Sequence, residues 1–422
     1  MDLSIVRKIV LDCFKFDVID YEHARVLTIA HDNDRSLFHN GKYYSPLVDT
    51  IEDELRKFDV NCVSVARIIS RVKGPISYGN ARSPEGRFAR ALIAKRVAGV
   101  FQKSGYCYSL MEEKVWGEIL DRVGAQRVVG ILPSRELCTA CRKRGIWVAD
   151  VQHGVIAEKH PWYGANFRAS DPIDYLPHTF LVWDPGSQHV IQKWSEAKGI
   201  LPMVIGNRWV ARFMKRDPAD ILVADLHRQF PGPPTDGRKT ILVSLSWGDY
   251  NIPNGFIAEG LEELIRRTAS KFRWYIRLHP NQLKGFATDE SVRFFKYFKA
   301  RLQGFATWEA ATRAPLPLVL AYTNLHISWM SSTCIEAAQM GIRTALLNPR
   351  LRSIDEIGDY YQHYRSIGMV ELVQENSTEI ERWINANMER EGVPEDYSQY
   401  DQAYANVINF LAHPHLQSAP AG

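Results

Sequence analysis

Short apolar runs rich in Val, Ile and Leu alternate along this chain with stretches whose apolar residues recur every three or four positions. The first pattern predicts buried strands and the second amphipathic helices. In the first half, residues 25–30 (RVLTIA), 60–65, 127–132 (RVVGIL), 146–151, 179–183 and 203–205 read as strands. Residues 45–58 read as a helix, because Leu47, Ile51 and Leu55 stand four apart. Residues 134–144 read as a second helix, ended by Gly145. The stretch 229–238 (QFPGPPTDGR) holds three prolines and two glycines and breaks the pattern. Strands are then expected at 240–245, 274–278, 318–321, 326–329 and 344–348. Helices are expected at 256–272, 334–340, 378–388 and 397–410. Strands alternating with helices imply parallel sheets with right-handed crossovers.

The expected architecture is therefore α/β, with two Rossmann-like, doubly wound domains facing an interdomain cleft. The boundaries read as 1–205 for an acceptor-binding domain, 206–238 for a linker, 239–400 for a nucleotide-sugar-binding domain, and 401–422 for a terminal helix and tail. Residues 66–120 are basic and aromatic and show no clear period.

Composition narrows the class. The chain has 422 residues, 45% apolar and 24% charged, which fits two globular domains and excludes collagen, coiled coil and wholesale disorder. A formal net charge of +4 without a dense basic cluster gives no case for nucleic acid. Six scattered cysteines read as buried, reduced thiols of a cytoplasmic protein. Cys138 and Cys141 form a lone Cys-x-x-Cys inside a helix, without the second ligand pair that zinc requires. No apolar window is long enough to span a membrane. The cations and aromatics of 66–95 and 293–299 leave a peripheral contact with anionic lipid open beside a plain solvated face.

Ligands of open α/β sheets bind beyond the carboxyl ends of the strands, where helix N-termini offer free N–H groups. The residues that follow the strands are thus the candidates. In the first half they are His31-Asp32-Asn33-Asp34, Pro133-Ser134-Arg135 and Gln152-His153-Gly154. In the second they are Ser246-Trp247-Gly248, His279-Pro280-Asn281 and Ser331-Ser332-Thr333. Glu336 follows Thr333 at capping-box spacing, so it either closes that box or accepts from a sugar hydroxyl. Arg277 and His279 share a strand face and suit a phosphate, and the alternative is a solvated strand end. His153 is a general-base candidate or part of a structural turn. The Asp-x-Asp at Asp32 suits acceptor binding or loop capping better than metal.

The segment 128–156 (VVGILPSRELCTACRKRGIWVADVQHGVI) resembles bacterial capsule and surface-polysaccharide glycosyltransferases. IGNRWV at 205–210, RLHPNQ at 277–282 and SSTCIEAAQMG at 331–341 continue the resemblance over about two thirds of the chain. It implies a GT-B fold and no metal or other cofactor. The His-Pro and Ser-Ser motifs are also similar to those of bacterial sialyltransferases, polysialyltransferases and Kdo transferases. Carried over, His279, Ser331 and Ser332 would contact the phosphate of a CMP-sugar.

The expected function is an inverting glycosyltransferase of capsule or lipopolysaccharide biosynthesis. Ser246, Arg277, His279, Pro280, Ser331, Ser332, Thr333 and Glu336 would bind the nucleotide-sugar donor. His153 or Asp32 would deprotonate a glycan or lipid-linked glycan acceptor, and His279 would steady the leaving phosphate. The enzyme would be cytoplasmic, with contact to the inner membrane left open. UDP- or GDP-sugar transfer, polyol-phosphate transfer, nucleotide-sugar epimerisation and a non-catalytic assembly scaffold are the alternatives.

Overall fold

The structure is a computed structural model and describes residues 3–17, 20–32, 34–66, 70–101, 106–234, 236–247, 252, 255–283 and 288–413. The chain forms two compact units. The first comprises 1–153, 161–206 and 398–422, and the second comprises 154–160 and 207–397.

The first unit is built on a parallel sheet of six strands. These are β1 (Val26–Ala30), β4 (Cys62–Ala66), β5 (Arg127–Gly130), β6 (Trp147–Val151), β7 (Thr179–Val182) and β8 (Met203–Val204), in the order β4-β1-β5-β6-β7-β8. An antiparallel hairpin of β2 (Leu37–His39) and β3 (Lys42–Tyr44) lies outside this sheet. Every residue of β1, β6 and β7 is buried, as expected where helices cover both faces of a parallel sheet. Gly130 in β5 is required by close approach, since a Cβ there would lie 2.9 Å from the Ile29 Cβ. The helix Asp401–Ala412 returns to this unit and packs on the helix Val48–Arg56, with Phe410 edge-on to Trp147.

The second unit repeats the plan with β9 (Lys239–Ser244), β10 (Phe272–Arg277), β11 (Ala306–Thr307), β12 (Leu325–Ser328), β13 (Thr344–Leu346) and β14 (Val370–Leu372). All pairs are parallel, in the order β11-β10-β9-β12-β13-β14. Ile241, Val243, Trp274, Ile276 and Ile327 carry the core of this sheet. The order in which strands are added reverses between β1 and β5 in the first unit and between β9 and β12 in the second. Those switch points open the crevices where such sheets bind ligands.

Several expectations change. Residues 206–238, expected as a linker, carry the helices Arg208–Lys215 and Ile221–Gln229. Of residues 318–321, expected as a strand, 318–320 belong to the helix Leu316–Leu320 and Ala321 is its C-cap. Pro315 and Pro317 stand at its start, where fixed φ favours a helix and the missing N–H costs nothing. Cys13, Cys62 and Cys107 are only half-buried, whereas Cys138, Cys141 and Cys334 are buried. Among the described residues no helix is long and apolar enough to cross a membrane.

Candidate functional site

The second unit gathers its candidates at the carboxyl ends of β9, β10 and β12. Beneath them sits His326, fully buried on β12. Its Nδ1 lies 3.0 Å from Thr344 Oγ1 on β13, and its Nε2 lies 2.9 Å from Ser244 Oγ on β9. The same Nε2 is 3.3 Å from Thr333 Oγ1 at the start of the helix Thr333–Gln339. Burial holds this imidazole at a pKa of about 3, so it is neutral. Ser328 Oγ donates to the Ser244 carbonyl oxygen at 2.8 Å and accepts from the Ser331 N–H at 3.1 Å. These bonds lock the turn 329–332 to the strand ends.

The same turn is held from two other sides. Ser246 Oγ accepts from the Met330 N–H at 3.1 Å, and Tyr361 donates its hydroxyl to the Met330 carbonyl at 2.8 Å. Tyr361 adopts φ 60°, a left-handed conformation that few non-glycine residues take. Such a backbone persists only where the surroundings over-determine it. Ser331 Oγ accepts from the Thr333 N–H at 3.4 Å.

Two side chains of the turn and the following helix make no hydrogen bond among the described residues. Ser332 is the N-cap residue, yet its backbone is helical and its side chain makes no capping bond. Glu336 is half-buried one turn along, and its carboxylate makes no hydrogen bond among the described residues. The capping box expected at Thr333 and Glu336 is thus not formed, because the Ser331 hydroxyl takes the Thr333 N–H instead. Burial raises the Glu336 pKa to about 7 against the pull of the Arg277 guanidinium. Arg277 ends β10 and donates to the carbonyls of Ala311 and Ala314. Burial lowers its pKa to about 10, with Glu336 opposing the shift.

His279 follows one residue beyond Leu278. Its backbone N–H donates to Gln282 Oε1 at 2.8 Å, within the short helix Pro280–Leu283 that Pro280 begins. Gln282 in turn donates to Glu290 at 2.9 Å. Burial, then the nearby Arg277 charge, brings the His279 pKa to about 4. At neutral pH its imidazole therefore offers one N–H donor and no charge. Trp247, 47% exposed, stacks on it with rings 6.1 Å apart and 19° from parallel. Gly248 lies outside the described residues.

The first unit treats its candidates differently. The Asp32 carboxylate is buried and accepts from Ser70 Oγ and from the backbone N–H groups of Arg71 and Val72. It holds the 70–72 turn. Asp34 accepts from the His31 N–H at 2.9 Å, and Asn33 lies outside the described residues. Gln152 is buried and ties β6 to β7, accepting from the Trp183 N–H at 2.7 Å and donating to Ser187 Oγ at 3.1 Å. His153 is half-buried, with Nδ1 2.7 Å from the Tyr163 hydroxyl and its ring stacked on Trp162 at 5.3 Å. Tyr163 is fully buried, and its hydroxyl fixes the ring at Nδ1. Ser134 caps the helix Arg135–Arg142.

Sequence reading did not find His326, Arg35 or Glu52. Arg35 is fully buried and donates to the Ala30 carbonyl at 2.9 Å and Ser64 Oγ at 2.6 Å. Glu52 is buried against Thr28, and burial pushes its pKa up. A polar residue inside an otherwise apolar strand was the available signal for His326. Among the described residues no group of His, Cys, Asp and Glu is placed to hold a metal ion.

No known family profile matches the sequence, and no curated protein matches it. Solved structures do match in shape. UDP-GlcNAc 2-epimerase from Neisseria meningitidis, solved with UDP-GlcNAc bound, is 13% identical with a TM-score of 0.54, over 92% of this chain and 99% of its own. The wall teichoic acid polymerase TagF is 11% identical with a TM-score of 0.54, over 98% of this chain and 93% of its own. The UDP-GlcNAc 2-epimerase of Methanocaldococcus jannaschii is 11% identical with a TM-score of 0.52, over 90% and 98%. At such identities the likeness concerns the fold. The strand orders, the two switch points and these neighbours together give the chain a GT-B-type fold of two Rossmann-like units.

Proposed function

We propose that the chain is a glycosyltransferase that takes its sugar from a nucleotide-activated donor. The observation that carries this reading is the Glu336 carboxylate. It sits at a sheet switch point, half-buried, without a hydrogen bond among the described residues, and next to the Arg277 charge. A carboxylate in that position is suited to accept from the hydroxyls of a ribose or a hexose. His279 and Ser332 supply donors for the phosphate, and the N–H groups of the helix Thr333–Gln339 add to them. Trp247 offers a ring face for a nucleobase.

The favoured donor is a CMP-sugar, in keeping with the His-Pro and Ser-Ser motifs. The acceptor is a glycan or lipid-linked glycan of a bacterial surface polymer. We assign His153 as the base on the acceptor unit, because Tyr163 holds its ring in place through Nδ1 and an imidazole can take up a proton near neutral pH. The acceptor oxygen would attack the anomeric carbon, the proton passing to His153 and the nucleotide phosphate leaving with the bonding pair. Inversion follows from that single displacement. His279 would donate to the phosphate oxygen as charge develops there.

A nucleotide-sugar 2-epimerase is the second reading, favoured by the epimerase structures of the same fold. Incubation with a nucleotide sugar, with and without an oligosaccharide acceptor, separates the two. A transferase forms an elongated glycan and frees the nucleotide only when acceptor is present. An epimerase converts the donor alone. Product from donor alone would overturn the transferase reading.

A further inference from the structure

The first unit carries an apolar surface that the donor and acceptor sites do not use. In the helix Leu3–Cys13 and the residues just after it, Val10, Leu11, Phe14 and Phe16 are exposed by 46%, 58%, 76% and 96%. Arg7, Val10, Leu11 and Phe14 recur every three to four positions, so they share one face of a helix. Its opposite side, with Ile9 and Asp12, is buried. The helix Glu85–Phe101 packs against it, and Arg90 fastens the two by donating to the Cys13 and Lys15 carbonyls at 2.8 and 3.0 Å. That second helix also exposes a face, made of Ile93, Val97 and Val100 at i, i+4 and i+7.

The exposed charges of the two helices themselves have one sign, while just beyond the first helix Asp17 accepts from the Gly86 N–H and Asp20 stands exposed. Asp12 and Glu85 are the acids of the two helices, and both are buried. Asp12 pairs with Lys8 and Lys15, and Glu85 with Lys8, Lys15 and Lys73. The exposed charges are Arg7 and Arg96, with Lys15 half-exposed just beyond the first helix. Apolar side chains in a basic border are the composition of a surface that lies in the interface of an anionic bilayer. A protein partner of matching shape would need an acidic apolar groove, whereas a lipid surface supplies both features without shape matching.

We propose that the helices Leu3–Cys13 and Glu85–Phe101 dock the chain peripherally on an anionic lipid surface. The aromatic rings of Phe14 and Phe16 enter the headgroup layer and Arg7 and Arg96 contact lipid phosphates. The inference is independent of the donor assignment.

Sedimentation with vesicles of phosphatidylglycerol and phosphatidylcholine tests it, using the full chain. Wild type is expected to co-sediment with these vesicles and to be released by high salt. It should bind pure phosphatidylcholine at least about tenfold more weakly. The double variant Phe14→Glu, Phe16→Glu is expected to lose at least about tenfold in vesicle affinity. Each of Arg7→Gln and Arg96→Gln should cost roughly fivefold. These side chains are exposed, so the variants should melt with wild type, and melting curves verify that. Equal binding to neutral and anionic vesicles overturns the proposal, as does unchanged binding by the Phe variant. Self-association that the Phe variant abolishes, without any vesicle binding, also overturns it and names a second copy as the occupant.

Discussion

The two sheets end in similar residues but use them differently. In the first unit Asp32 accepts from three donors and Gln152 bridges two strands, so the polar groups beyond β1 and β6 hold the scaffold. In the second unit Ser244, Ser246, Ser328, Ser331 and His326 do the scaffolding from below. That leaves the side chains of Ser332 and Glu336 at the switch point without hydrogen bonds among the described residues. A polar residue after a strand is therefore a weak sign of a site. A polar residue whose neighbours already satisfy the backbone is a stronger one.

Four predictions test that contrast. The largest effect is expected at His279. His279→Ala removes a donor aimed at developing phosphate charge and should lower kcat by about 10²- to 10³-fold, with acceptor KM nearly unchanged. Steady-state kinetics with saturating donor measures this, and unchanged turnover would remove His279 from the reaction.

Asp32→Ala is expected to act on folding. It leaves the buried Val72 N–H, the part-buried Arg71 N–H and the Ser70 hydroxyl without their acceptor, a loss of about 2–4 kcal/mol. Urea denaturation should show an early transition, while nucleotide affinity stays within about twofold. A stable but inactive Asp32→Ala protein would give Asp32 a catalytic role and blur the difference between the two units.

His326→Leu probes the scaffold of the second unit. It should cost about 1–3 kcal/mol by orphaning Ser244 and Thr344. It should also raise donor KM more than it lowers kcat, since the 329–332 turn loses its underlying support.

The smallest and most specific effect is on pH dependence. Glu336 has a folded pKa near 7, raised from an ordinary carboxylate value. Its ionised form, the better acceptor, fills as pH rises through 7, so donor KM should fall by up to about tenfold between pH 6 and 8. Glu336→Gln should flatten that profile. The same shift has a folding consequence of opposite sign. The native state binds this proton more tightly than the unfolded chain, so the group lowers stability as pH rises from about 4.5 to 7.

Much of the fold was legible in the sequence, because fully buried parallel strands are written as runs of Val, Ile and Leu. The run RVLTIA became β1 and RVVGIL contains β5. What escaped had physical reasons. The helix Glu85–Phe101 keeps apolar residues on its outer face as well as its inner one, which erases the helical period. Residues 318–321 are short and apolar, a pattern that strands and buried helices share. β11 and β14 are too short to leave a pattern. At the site, the residue types after β9, β10 and β12 were readable, but their division of labour was not. The sequence spacing of Thr333 and Glu336 suits a capping box, and only the placement of Ser331 shows why none forms.

Nucleotide binding tests the central claim most directly. The wild-type chain and Glu336→Gln would be titrated with CMP, CDP, UDP and GDP by calorimetry and thermal shift, with and without magnesium. One nucleotide, CMP in the favoured reading, should bind wild type without metal. At about a hundred times its Kd it should stabilise the protein by about 2.7 kcal/mol, and Glu336→Gln should weaken it about tenfold or more. Binding of none of the four, or equal binding to both proteins, would contradict the assignment of a nucleotide-sugar site to the carboxyl ends of β9, β10 and β12.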